Sequence, residues 1–170
     1  MKKMFSIMTL LLSIFTFALS ASESITGFWR SVDERTKKTE SILAIYEYHG
    51  QFFGRLIVTF NDDGTVNDTI YDPKSRAPGV VGDPYYAGMD IIWNLKDNGK
   101  KFTGGSIMDP EKGNVYGAEL WRQGNDLIVR GELLIFGRNQ IWPPALDSDF
   151  PPGFKKPDLT TMIPVIPKVK

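Results

Sequence analysis

Few side chains in this sequence can do catalytic chemistry. There is one histidine, His49, and no cysteine. A hydrolase needs a nucleophile with a base in reach, and His49 stands beside Gly50 where the chain reads as a hairpin turn, which makes it an exposed turn residue. One His without Cys also argues against a transition-metal site. Asn61-Asp62-Asp63-Gly64 with Asp68 offers oxygen ligands to calcium, yet the EF-hand spacing and its closing Glu are absent, and polar turn chemistry accounts for the run equally well. Asp109-Pro110-Glu111-Lys112-Gly113 places two carboxylates close together. Asp, then Pro, with Gly at the end is also the composition of a tight β-turn. No residue is marked as catalytic, and neither a cofactor nor a metal is expected.

The remaining candidates suit binding. Glu119, Glu132 and Arg130 each fall within a strand-like run. Pointing inward, Glu119 and Arg130 would give a polar floor that orients a ligand's carboxylate or amide. Pointing outward, they would form a cross-strand ion pair of little consequence. Tyr46, Tyr48, Phe53, Trp93, Tyr116 and Trp121 either line the same cavity or simply pack.

The elements that must position these residues are short β-type runs separated by turns. In Glu40 to Tyr48, Ile42, Ala44, Tyr46 and Tyr48 share one face while Leu43, Ile45 and Glu47 share the other. Gln51 to Phe60 returns as the second arm of a hairpin. A polar segment with Pro73, Pro78, Gly79 and Gly82 then runs to Pro84 and reads as a long loop. Runs at Tyr85–Leu95, Lys101–Met108, Asn114–Arg122, Asp126–Phe136 and Arg138–Trp142 follow. With an opening strand at Ile25–Asp33 they make eight, the arithmetic of an all-β, antiparallel up-and-down barrel whose interior either fills or holds one small ligand. Glycines inside the runs permit the bends that closure needs and favour a barrel over a sandwich.

The flanks have their own character. Lys2 and Lys3 precede an uncharged apolar run from Phe5 to Leu19, with small residues following, the pattern of a cleaved leader over residues 1–20. The run is shorter than a spanning helix needs, so no stable membrane span is expected after cleavage. Basic and acidic residues balance at 20 each, and without the leader's two lysines the formal charge is −2, which makes nucleic acid an unnatural partner. The barrel is placed at 21–142 and a Pro-rich tail at 143–170, where seven prolines fall in 28 residues. Apolar residues in the tail, among them Phe150, Phe154 and Met162, call for part of it to lie on the barrel wall or over a mouth.

Gly27-Phe28-Trp29 resembles the Gly-x-Trp of the first strand in lipocalin-like (calycin) barrels. That resemblance implies a Trp29 packed across the closed end with a late-strand Arg over its indole, and Arg138 is the candidate, so that Gly27, Trp29 and Arg138 form a closure device. The blocks Gly50-Gln51-Phe52-Phe53-Gly54-Arg55-Leu56, Gly88-Met89-Asp90-Ile91-Ile92-Trp93, Ser106 to Tyr116, Leu127 to Gly131 and Gly137 to Trp142 are similar to successive motifs of the bacterial DUF2147 family. Membership implies an exported lipocalin-like barrel with no established biochemical activity. Many members carry a cysteine pair in the long loop, where this chain has Asp72 to Arg76. The resulting expectation is a non-enzymatic periplasmic or secreted protein holding a small hydrophobic molecule or lipid. The alternative is an envelope interaction or maintenance module acting through the 61–84 loop and the tail.

Overall fold

Strands with apolar residues on both faces need cover on both sides. The computed structural model, which describes residues 22–133 and 136–170, supplies it with an antiparallel barrel outside which the tail is wrapped. The leader-like segment, Leu134 and Ile135 lie outside the described residues. The strands are β1 (Gly27–Val32), β2 (Thr39–Tyr48), β3 (Gln51–Phe60), β4 (Val66–Thr69), β5 (Asp90–Asp97), β6 (Phe102–Met108), β7 (Val115–Gln123), β8 (Asp126–Leu133) and β9 (Phe136–Trp142). Eight of them follow one another in the order β1-β2-β3-β5-β6-β7-β8-β9, and β4 pairs with β3 beside that path. The count of eight is thus correct for the wall. The ninth strand lies in the segment read as loop, where Asp68 draws the chain against Thr59.

Closure falls just beyond the last strand. Trp29 bridges Pro144, Arg30 N donates to Pro143 O at 2.9 Å, and Ala145 N donates to Phe28 O at 2.9 Å. The cation over the Trp29 indole is not Arg138. It is Arg122, at the end of β7, with its guanidinium carbon 4.9 Å from the ring centroid, and it also donates to Ser24 O and Gly124 O. The Trp29 Nε1–H is satisfied at Ile25 O, 2.8 Å away. Arg138 fails as the clasp for a reason of position. Gly131 faces it on β8, which sets it toward the opposite end of the barrel, where its side chain is 77% exposed and donates to Glu34 at 3.1 and 2.5 Å.

Two apolar clusters result. The inner one contains Trp29, Leu43, Ile45, Ile92, Leu95, Phe102, Leu120, Leu127 and Trp142, and it fills the end closed by Trp29. The outer one is Ile42, Ala44, Tyr46, Phe53, Ile57 and Val58 of β2 and β3 against Phe150 and Met162 of the tail. The tail runs extended between single 3-10 turns at Asp147–Asp149 and Leu159–Thr161. Phe150 meets Phe28 edge-on at 5.6 Å and stacks on Phe154 at 5.4 Å. Its far end reaches the long loop, where Val81 N donates to Lys168 O and Lys170 N to Gly79 O.

Candidate cavity in the open half of the barrel

Above the filled half lies a cavity of about 740 Å³ that opens broadly to solvent at the rim, within the range of small-molecule sites. Leu56, Ile91, Ile107, Val129 and Trp142 give it apolar walls. Midway stand Ser31 and Ser41, paired across β1 and β2, 8% and 7% exposed, with their hydroxyl oxygens 2.9 Å apart. At the mouth are Glu40, Asp62, Asn67, Tyr86, Asp109, Glu111 and Arg138. Gly131 also faces the cavity. A Cβ there would lie 3.5 Å from Ile107 Cγ2, an ordinary contact, so a glycine on this wall adds room that a larger side chain would take.

The mouth is built by turns. Asp109 Oδ1 accepts from Glu111 N at 3.0 Å and Lys112 N at 3.3 Å, and Asp109 O accepts from Gly113 N, so the Asp-Pro-Glu-Lys-Gly run is a tight turn as its composition suggests, closed over five residues rather than the four of a β-turn. Gly113, at φ +73°, lies so close to Gly79 of the long loop that a Cβ on Gly79 would sit 2.4 Å from Gly113 N. That contact brings the loop onto the rim. Inside the loop, Ala77 and Val80 are buried in the inner cluster. Asp68, 0% exposed, holds the loop's start by accepting from the amides of Lys74 and Ser75. Burial raises the Asp68 carboxyl, but these donors, with the Ser75 and Thr59 hydroxyls, outweigh it and leave the group below its ordinary value. Glu40 shifts the other way. Loss of surrounding water, then the charges of Asp33, Glu111 and Asp62, push its carboxyl up, and a nearby Ser31 hydroxyl only partly offsets this.

Of the aromatics and charges that the sequence offered as lining, only Tyr116 borders the cavity. Tyr46, Tyr48 and Phe53 lie on the outer face of β2 and β3 under the tail, and Trp93 packs against both clusters. Tyr46 donates to Asp90 at 2.9 Å and accepts from Arg55 Nη2 at 3.0 Å, and burial followed by the Asp90 charge raises its phenol. Glu119, Trp121 and Arg130 are on the outer wall: Lys101 pairs with Glu119 at 3.0 Å and covers the Trp121 ring at 4.1 Å, and Arg130 reaches Glu132 and Asn139. Glu119 and Arg130 do sit opposite each other in the ladder, but each takes another partner. The reason for the misplacement is parity. The aromatic face of β2 is the one covered by the tail, and the true lining belongs to the alternate set. The missed residues, Ser31, Glu40, Ser41, Leu56 and Gln140 among them, had one usable signal. Both faces of β2 are apolar, and the tail carries enough Phe and Met to cover one of them.

His49 is a turn residue at φ +50°. Asp63 accepts from the Thr65 amide and hydroxyl at 2.9 and 2.6 Å, which is turn chemistry, and no three metal-ligating side chains converge among the described residues. No helix among them is long and apolar enough to cross a membrane.

An antiparallel barrel packed at a Trp-closed end and hollow at the other is the architecture of lipocalin-like proteins. Among solved structures it is similar to HP1028 of Helicobacter pylori, described as belonging to the lipocalin family, with 17% identity and a TM-score of 0.59 over 74% of this chain and 86% of that one. Residues 27–143 match the family described as "Uncharacterized protein conserved in bacteria (DUF2147)", and the chain belongs to that family. A comparison with curated protein sequences finds no match.

Proposed function

We propose that this is an exported, non-enzymatic binding protein that holds a small, largely apolar ligand in the open half of its barrel. The observation that carries the reading is the cavity itself, about 740 Å³ between a packed closed end and a polar mouth. Binding fits its lining better than catalysis does. The two buried hydroxyls bond to each other, no histidine borders the space, and the Asp109 carboxylate is engaged by its own turn. The leader-like residues 1–20 support passage to the periplasm or beyond, which N-terminal sequencing of the mature protein would check. The tail speaks less strongly for a partner-binding role, because Phe150 and Met162 are already spent on the barrel wall.

The test is a filled cavity. Gly131→Leu places a side chain in the space, where the Cβ itself meets no clash. The expected result is unchanged secondary structure with loss of binding to a neutral long-chain alcohol, read by the change in intrinsic tryptophan fluorescence to which Trp142 at the cavity contributes. Equal binding by the variant would sink the reading, as would native protein that carries no extractable small molecule and binds none.

A further inference from the structure

The charge around the mouth is one-sided. Four of the cavity's bordering side chains are carboxylates, Glu40, Asp62, Asp109 and Glu111, against one cation, Arg138. That guanidinium is already neutralised by Glu34. Lys38 leans on this edge, but its Nζ donates to the backbone carbonyl of Asp62 at 2.7 Å. Among the described residues neither Glu40 nor Glu111 has an ion-pair partner within 4.0 Å. An anionic headgroup placed here would meet like charge, with its only guanidinium occupied.

Below this rim the wall changes character within one strand. Glu40 is followed at once by Ser41, whose hydroxyl is paired with that of Ser31 on β1. One hydrogen bond between two hydroxyls leaves lone pairs and one O–H over, and both groups border the cavity. Deeper still, Leu56, Val129 and Trp142 are apolar. A primary ammonium fits this sequence of surroundings: it has N–H donors for the serine oxygens, a charge for Glu40, and a stem that can follow the apolar wall.

Resting on the binding role just proposed, we infer that the ligand is a cationic amphiphile, a long-chain amine whose ammonium sits between Glu40 and the Ser31–Ser41 pair while its chain occupies the apolar half. Glu40 is then the residue that sets headgroup specificity.

The experiment uses three probes of one chain length, dodecylammonium, dodecanol and dodecyl sulfate, below their micelle concentrations, titrated into the full-length mature protein at neutral pH and low salt. Dodecylammonium should bind about tenfold more tightly than dodecanol, and dodecyl sulfate more weakly than either. In Glu40→Gln the ammonium advantage over dodecanol should fall to less than about threefold while the circular dichroism spectrum and melting temperature match those of the native protein, which separates lost charge from lost fold. Added salt should narrow the ammonium-to-alcohol gap in the native protein alone. Equal affinities for all three probes, or tighter binding of the sulfate, overturn the inference and leave the cavity reading standing. A preference for the ammonium that survives Glu40→Gln overturns the role of Glu40. No binding of any probe overturns both.

Discussion

Asp90 and Val165 hold each other by two hydrogen bonds: the Asp90 amide donates to Val165 O at 3.0 Å, and the Val165 amide donates to the Asp90 carboxylate at 2.5 Å. The strand and the tail meet there through one bond between backbones and one from backbone to side chain. The same carboxylate, fully buried, pairs with Arg55 at 3.1 Å, and Arg55 in turn donates to Ile163 O at 2.5 Å. One ionic cluster therefore joins three separate segments of chain.

Replacing Asp90 should release the tail as well as weaken the fold. Asp90→Ala leaves Arg55 buried without its counter-charge, a defect that costs about 3–5 kcal/mol. Limited proteolysis with trypsin should then cut after Lys155 in the variant well before it cuts the native protein, the next bond, Lys156–Pro157, being resistant. Equal cleavage rates in the two proteins would mean that the tail is held by its other contacts, Phe150 and Met162 on the wall and Lys168 and Lys170 on the long loop.

The two arginines proposed and found at the closed end should separate cleanly. Arg122→Ala removes the cation over Trp29 and two bonds to backbone carbonyls, with an expected loss of about 1–2 kcal/mol. Arg138→Ala removes an exposed pair and should leave the melting temperature almost unchanged. Thermal denaturation of both variants decides it, and the reverse order would restore Arg138 as the clasp.

Asp68 gives the fold an acid-sensitive hinge. Its carboxyl is depressed in the folded state, so the stability it contributes is complete above its ordinary value of 3.8 and is lost as pH falls through the lower folded value. Hydrogen exchange at Lys74 and Ser75 should accelerate in that acid window while the β7–β8 hairpin stays protected. Asp68→Ala should lose about 1–3 kcal/mol at neutral pH and show no such acid step.

The wall of this barrel is legible in the chain because each strand is ended by its own turn: Asn98-Gly99, Asp109 to Gly113 and Gly124-Asn125 all lie between consecutive strands. The interior is less legible, because alternation gives two faces without saying which is inside. Tyr46 and Phe53 look like lining until Phe150 and Met162 are seen to cover them. Register irregularities compound the difficulty. The β3–β5 ladder shifts between Phe52 and Arg55, and Asn94 at φ +59° turns the strand again, so counting by twos loses phase near Trp93. The Arg over Trp29 is a different case: the resemblance to calycin barrels implies an Arg of the last strand, whereas Arg122 reaches the indole from the end of β7.

The seam beside Trp29 differs from every other junction in the wall. All other neighbours along the path are joined by ladders between strands adjacent in sequence, or nearly so, and such hairpins form early and locally. The contacts of Phe28, Trp29 and Arg30 with Pro143, Pro144 and Ala145 join the two ends of the barrel sequence, and their closure entropy is repaid only once the whole sheet exists. The chain should therefore fold as a curling open sheet that closes at this seam last. The tail, continuing directly from it, can wrap only a barrel that is already shut.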